Sequence, residues 1–272
     1  MIAILLATFN GSRFLREQLD SLFRQTCSDF IVYVRDDGST DDTCAIVRQY
    51  VARHPKQIVL CEDDVRHRGP KESFAWLLGH AEADYYMFCD QDDVWLETKV
   101  ARTLRRMREV EHLHPNKPVM IHTDLKVVDE QLRILHESFW KWKRFKVDVG
   151  KRFRFACLGN VFTGCTIMLN DASKRVCLPV SPHVEMHDHW IGIVTAKYGY
   201  VENLPEQTLL YRQHENNVAG AGAEYRWTHW LLWWAALPRW YREHRPLLDE
   251  VGYGSVLKYC WYKSLHVLTR LF

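Results

Sequence analysis

The feature that most constrains this chain is an unbroken apolar run at its start, Ile2-Ala3-Ile4-Leu5-Leu6-Ala7. A strand with one wet face alternates polar and apolar residues. An unbroken run suits a strand covered on both faces, as in a parallel sheet between helical layers. The next residues keep to that pattern. Asn10-Gly11-Ser12 is a turn, with Ser12 placed to cap a helix whose apolar face is Leu15, Leu19 and Leu22. Phe30–Val34 reads as a second strand. Asp36-Asp37-Gly38-Ser39 follows as a loop, in which Ser39 and Asp42 resemble a capping box for a helix through Ile46, Val47, Tyr50 and Val51. Ile58–Cys61 is a third strand, Gly69-Pro70 opens a helix through Phe74, Leu77 and Leu78, and Tyr85–Cys89 is a fourth strand ending at Asp90-Gln91-Asp92-Asp93.

This alternation predicts an α/β fold: a mostly parallel central sheet with helices on both faces. Ligands in such sheets bind at the carboxyl ends of the strands, which here are Thr8–Gly11, Asp36–Ser39 and Asp90–Trp95. Further on, the pattern predicts a helix over 99–112, strands at 119–123 and 161–169, a helix near 190–196, and strands at 200–202 and 208–212. A Gly- and Ala-rich stretch at 215–224 reads as a boundary before a helical, Trp-rich tail.

Composition narrows the class. With 36 Lys and Arg against 34 Asp and Glu, the net charge of +2 gives no case for a nucleic-acid partner. The eight cysteines form no Cys-x-x-Cys pair, so neither a structural zinc site nor a disulfide framework is expected. The opening apolar run is too short for an export signal, and no stretch approaches the roughly 20 apolar residues of a membrane span. These features lead to the expectation of a cytoplasmic protein.

Asp90-Gln91-Asp92-Asp93 is the sharpest chemical signal. Three carboxylates in four residues repel one another unless a cation joins them, and Mg²⁺ or Mn²⁺ take such oxygen ligands together with substrate phosphates. At Asp36–Ser39, a carboxylate can accept from the imide N–H of uracil or thymine beside the aromatic face of Phe9, and helix capping by Asp36, Ser39 and Asp42 can coexist with that role. No Gly-rich phosphate loop follows any strand, so phosphate charge has to be met by metal and by Arg or Lys. Arg212 is a candidate for a phosphate or for an acidic neighbour, and His214, two residues on, for the metal or the diphosphate. Asp188, flanked by His187, His189 and Trp190, suits a general base within a cleft, with helix capping as its structural alternative and the two histidines as rivals. Gly164 is expected to permit close approach of substrate, and Cys165 reads as a packed small residue.

These residues resemble the GT-A-fold glycosyltransferases of family 2. The resemblance is carried by Ala7-Thr8-Phe9-Asn10-Gly11, Arg35 to Thr43, Asp90-Gln91-Asp92-Asp93-Val94-Trp95, Thr163-Gly164-Cys165-Thr166, His187-Asp188-His189-Trp190 and Tyr211 to Asn217. It covers about residues 2–220 and is similar to the bacterial rhamnosyltransferase-like branch. It implies inverting transfer of a sugar from a UDP- or dTDP-sugar to a glycan or lipid-diphosphate-linked acceptor in surface polysaccharide synthesis. By position it places Phe9 and Asp37 on the pyrimidine, Thr8 and Asn10 near the ribose or base, Asp92 and Asp93 on Mn²⁺ or Mg²⁺, and Asp188 as the base. The division it implies is a catalytic domain over 1–220, with a nucleotide-binding half (1–98) and an acceptor half (99–220), and a tail over 221–272.

Two basic, aromatic-rich stretches remain. Residues 141–154 hold seven Lys and Arg, and the last 49 residues hold six of the eleven tryptophans with a net charge of about +3. That composition suits either helices lying on the anionic inner-membrane surface or helices packed on the domain. The rival functions are a sugar nucleotidyltransferase, disfavoured by the Asn10-Gly11-Ser12-Arg13 loop, and a non-catalytic nucleotide-sugar binder, disfavoured by the retained acids.

Overall fold

In the computed structural model the described residues are 1–215 and 233–271, with side chains described for 1–215 and 238–265. The Gly- and Ala-rich boundary beyond Glu215 and the cluster from Trp227 to Trp230 lie outside them.

In chain order the elements are β1 (Ile2–Thr8), α1 (Leu15–Phe23), β2 (Phe30–Asp36), α2 (Thr43–Arg53), β3 (Ile58–Cys61), α3 (Gly69–His80), β4 (Tyr85–Cys89), β5 (Val94–Trp95) and α4 (Lys99–Leu113). Then come β6 (Val119–Val128), β7 (Ile134–His136), α5 (Phe139–Trp142), α6 (Phe153–Ala156), β8 (Ile167–Asn170), α7 (Asp171–Cys177), α8 (His187–Tyr198), β9 (Tyr200–Arg212), α9 (Trp233–Glu250) and α10 (Val256–Leu271). The strands form one sheet in the order β3-β2-β1-β4-β8-β6-β9-β5, with β7 beside β6. The long registers are parallel, β1 with β2 and β4, β2 with β3, and β6 with β9. The antiparallel pairings are short.

The apolar run in β1 supplies two cores at once, because successive side chains point to opposite faces. Ala3 and Leu5 pack with Phe74, Leu77 and Leu78 of α3 and with Trp190, Ile191 and Val194 of α8. Ile2, Ile4 and Leu6 pack with Leu15, Leu19 and Leu22 of α1, Ile46, Val47 and Tyr50 of α2, and Val100, Leu104 and Met107 of α4. Each of the fully buried Leu and Ile side chains contributes about 1.5–3 kcal/mol of transfer free energy.

Several local expectations are corrected. Ser12 does not cap α1: the helix begins at Leu15, and Ser12 instead donates its N–H to Asp41. The Ser39/Asp42 capping box does not form either. Asp41 accepts the Thr43 N–H, while the Ser39 hydroxyl is bonded to Asp36. The strand expected over 161–169 is confined to Ile167–Asn170, and the helix expected at Trp190 begins at His187. The two strands expected at 200–202 and 208–212 are one strand, β9. Its register against β6 shifts between Thr123 and Asp124, the stretch holding Pro205, which has no N–H to give the ladder.

The tail packs on the domain where it is described. Leu247, Leu248, Val251, Tyr253 and Tyr259 join the α3–α8 core. Arg154 donates to the Tyr253 carbonyl at 2.6 Å and Lys263 to that of Leu158 at 2.6 Å. Among the described residues no helix is long and apolar enough to cross a membrane.

Candidate active site

The parallel pairing of β2, β1 and β4 brings three loops to one edge of the sheet. The β1 and β4 loops are joined by Gln91, which pairs with the Phe9 backbone as a neighbouring strand would. Its Oε1 accepts the Phe9 N–H at 2.9 Å and its Nε2 donates to the Phe9 carbonyl at 2.9 Å. A Cβ at Gly11 would lie 2.1 Å from Gln91 Oε1, so a larger residue there would push Gln91 off the Phe9 backbone. Phe9 is 45% exposed and meets His67 edge-on, with 5.6 Å between ring centres. Asn10 has a positive φ of 46°, a conformation Asn tolerates, and its Oδ1 accepts the Thr40 N–H. Thr8 faces the protein: it is buried and donates its hydroxyl to Asp36.

At the end of β2, Asp37 is buried and accepts from Arg35 Nη1 (2.9 Å), the Arg68 N–H (2.9 Å) and the Gly69 N–H (2.8 Å). Arg35 is itself fully buried between Asp37 and Asp63. A carboxylate has about four acceptor positions, so Asp37 retains one. Burial pulls the Asp36 carboxyl upward, but bonds from Ser39 and Thr8 hold it below the ordinary carboxylate range. Asp41 is likewise held down at about 2, against burial, by Thr43 and Ser12.

The acidic loop after β4 is different. Asp93 is fully buried; its Oδ1 accepts the Arg212 N–H at 3.2 Å, and its Oδ2 has no hydrogen-bond partner. Burial and the nearby Asp92 and Asp90 push its carboxyl well up. Asp90 rises to about 7 through burial and the charges of Asp92 and Asp188. Asp92 Oδ2 lies 2.7 Å from His214 Nε2, and the His214 ring packs on Phe14. A carboxylate oxygen buried without a partner, among acids that raise one another, fits a divalent cation, which would relieve both costs.

Arg212 holds this loop from β9. It is 1% exposed, lies over the Phe14 ring, and donates to the Asp92 carbonyl at 2.8 Å, the Glu130 carbonyl and the Glu17 carboxylate. Its guanidinium is therefore turned onto protein groups.

Asp188 lies in the first turn of α8 and is 7% exposed. Its Oδ1 accepts from Asn160 Nδ2 (2.8 Å) and the His189 N–H (2.7 Å), and its Oδ2 from the Gly164 N–H (3.0 Å). Burial lifts it to about 6 in spite of these bonds. The Gly164 N–H that it holds belongs to the turn of Cys165, whose sulfur lies within 4.8 Å of oxygens of Asp90 and Asp93, so Asp188 stands beside the acidic loop. Both rival histidines have other surroundings. His187 is buried against Phe74 and Phe88 and held neutral, down to about 3, by burial. His189 Nε2 is bonded to the Ala156 carbonyl at 2.9 Å. Gly164 serves close approach, but to protein: a Cβ there would lie 3.0 Å from His187 Nε2.

Sequence reasoning passed over Gln91, Asn160, Arg35 and Lys99. Lys99 is fully buried, donates to Thr208 Oγ1 at 3.1 Å and lies over the Trp95 ring; burial lowers it to about 8. A charged residue inside an apolar strand, as at Arg35, was the one visible signal.

Residues 3–173 match the profile of glycosyl transferase family 2. The chain is 25% identical over 244 residues to the dTDP-rhamnosyl transferase RfbG of Shigella flexneri, covering 81% of this chain and 75% of that protein. Across the first curated relatives the chain spans between 50% and 75% of their length. Among solved structures, it is similar to S. aureus TarS 1-349 in complex with UDP-GlcNAc (TM-score 0.58, 17% identity, 89% of this chain and 66% of that one). It is also similar to the mannosyltransferase PcManGT from Pyrobaculum calidifontis in complex with GDP-Man and Mn²⁺ (TM-score 0.58, 17% identity, 100% and 80%).

Proposed function

The chain belongs to glycosyl transferase family 2, and from that premise we propose that it moves a sugar, with inversion, from a UDP- or dTDP-sugar to a hydroxyl of a glycan or lipid-diphosphate-linked acceptor. The observation that carries this reading is the clustering of Asp90 and Asp93 at Cys165, in the turn whose Gly164 N–H is bonded to Asp188, with Asp93 Oδ2 left without a hydrogen-bond partner.

In this reading Phe9 offers its exposed face to the pyrimidine, and Asp37 accepts the imide N–H at its remaining position. Asn10 borders the ribose. Thr8 and Arg212 act as positioning residues, the first through Asp36 and the second through the acidic loop. Asp92 and Asp93, with His214 beside Asp92, would hold Mn²⁺ or Mg²⁺. When bound, such an ion neutralises charge that develops on the departing diphosphate. Asp188 accepts the proton of the acceptor hydroxyl as that oxygen bonds to the anomeric carbon and the bond to the diphosphate breaks. A base near 6 is ionised at neutral pH yet basic enough to take the proton. Asn160, Gly164 and His189 leave it one free acceptor position.

The acceptor's lipid linkage draws support from α10, which exposes Leu257 and Trp261 one turn apart. Aliphatic and Trp side chains on a basic helix suit an anionic leaflet, and flotation with anionic liposomes tests it. The glycosyltransferase reading is tested by incubating the full chain with UDP- and dTDP-sugars and Mn²⁺. Release of UDP or dTDP, lost in Asp93→Asn, is expected. Release of pyrophosphate from a nucleoside triphosphate and a sugar phosphate would overturn it in favour of a nucleotidyltransferase.

A further inference from the structure

The cation site has a neighbour that the proposed mechanism leaves unused. Cys165 is 1% exposed and sits in a single 3-10 turn, Gly164–Thr166, packed against the end of β4. Its sulfur and one oxygen each of Asp90 and Asp93 lie within 4.8 Å of one another. The Asp93 oxygen without a hydrogen-bond partner, in a fully buried residue, points to a missing ligand in this same cluster. A tetrahedral ion with bonds of about 2.0–2.3 Å sets its ligands about 3.5 Å apart, so small rotamer shifts close the three atoms on one cation. The Arg212 N–H pins Asp93 Oδ1 and the Gly164 N–H is pinned to Asp188, which ties the cluster to β9 and to α8.

We propose that Asp90, Asp93 and Cys165 form a second, inner ligand set, sharing Asp93 with the Asp92–Asp93 pair, in which Cys165 supplies sulfur and which takes borderline-soft divalent ions such as Zn²⁺, Cd²⁺ and Co²⁺ in preference to Mg²⁺. The preference follows from ligand type: thiolate sulfur selects the softer ions, whereas Mg²⁺ demands oxygen. The inference rests on reading the acidic rim as a cation site. It adds that the turn carrying Cys165 ties the cation to the base, because residue 164 of the same turn holds Asp188.

The test titrates the metal-free full chain with Co²⁺ in the absence of nucleotide. A sulfur-to-Co²⁺ charge-transfer band that saturates at one equivalent, and is lost in Cys165→Ser, is expected. Since seven other cysteines are present, the comparison with the variant decides the assignment. Should Cys165→Ser fail to fold, X-ray absorption of the wild-type chain with one equivalent of Zn²⁺ gives the second readout: one sulfur at about 2.3 Å beside oxygens. An equal band in both proteins, or a shell without sulfur, overturns the proposal. If Mn²⁺-dependent release of UDP or dTDP persists beside a sulfur-free shell, only the sulfur ligand falls. If no cation binds, the reading of the rim falls with it.

Discussion

Two groups of carboxylates lie along the same edge of the sheet and are treated in opposite ways. At and beyond the ends of β2 and β3, Asp36, Asp37, Asp41 and Asp63 are each met by donors: Ser39 and Thr8, Arg35 and two backbone N–H groups, Thr43 and Ser12, and Arg68 with Arg35. The Arg68 side chain holds Asp63 well below the usual range. Around the end of β4, burial pushes Asp90, Asp93 and Asp188 up instead, and repulsion from neighbouring acids adds to it at Asp90 and Asp93. In the first group every carboxylate is met by protein donors, and Asp37 keeps one acceptor position for a ligand. In the second, Asp93 Oδ2 is left without a donor, at a cost in stability that a ligand would recover, which is the pattern of a functional site.

The contrast yields predictions of decreasing size. Asp188→Asn keeps the shape of the second group and removes the proton acceptor proposed for the reaction, so kcat should fall by about 10²–10⁴-fold with KM for the donor little changed. Steady-state kinetics check it, and a loss under tenfold would mean another base. Arg35→Met strikes the first group by leaving Asp37 and Asp63 buried without their cation. A loss of about 3–5 kcal/mol of stability, read by urea denaturation, is expected.

The pH responses should also separate the groups. Asp90 and Asp188 have folded values raised to about 7 and about 6, so their contribution to stability is full below about pH 4 and is lost as pH rises through 6 to 7. Asp41 has a lowered value, so its contribution is present above about pH 4 and is lost as pH falls toward 2. Metal-free Tm should therefore decline between pH 5 and 7.5, and added Mn²⁺ should flatten that decline. Activity runs the other way, with kcat/KM rising through about pH 6 as Asp188 ionises. The smallest effect expected is for Gln91→Ala, which frees two backbone groups that face water. It should lower stability by about 1 kcal/mol and weaken donor binding by loosening Phe9.

The same division governs what the sequence reveals. The strands and helices through β4 were legible because a parallel strand covered on both faces writes a continuous apolar run, and amphipathic helices write a 3.6-residue period. Beyond α4 the elements are short or irregular. A two-residue strand such as β5 and one-turn helices such as α5 and α6 carry no period, and α7 fits seven residues between β8 and a Pro. β9 was hidden because Pro205 interrupts its pattern while the backbone runs on. The acids of the site were visible as a cluster, but their partners were not. Arg212 reads equally as a phosphate ligand or a clamp until its three protein acceptors are seen. Asn160 lies 28 residues from Asp188 with nothing local to join them. The capping at α2 passed to Asp41 because Ser39 was taken by Asp36 and the β1 loop, a tertiary competition that spacing does not record.

The account turns on the second group being incomplete without a cation. Calorimetric binding of UDP and dTDP to the full chain, with Mn²⁺ and with EDTA, tests this most directly. Binding tightened by Mn²⁺ by about 5–150-fold in the wild type, and unaffected by Mn²⁺ in Asp93→Asn, is the expected result. Equal affinity with Mn²⁺ and with EDTA in the wild type would contradict it.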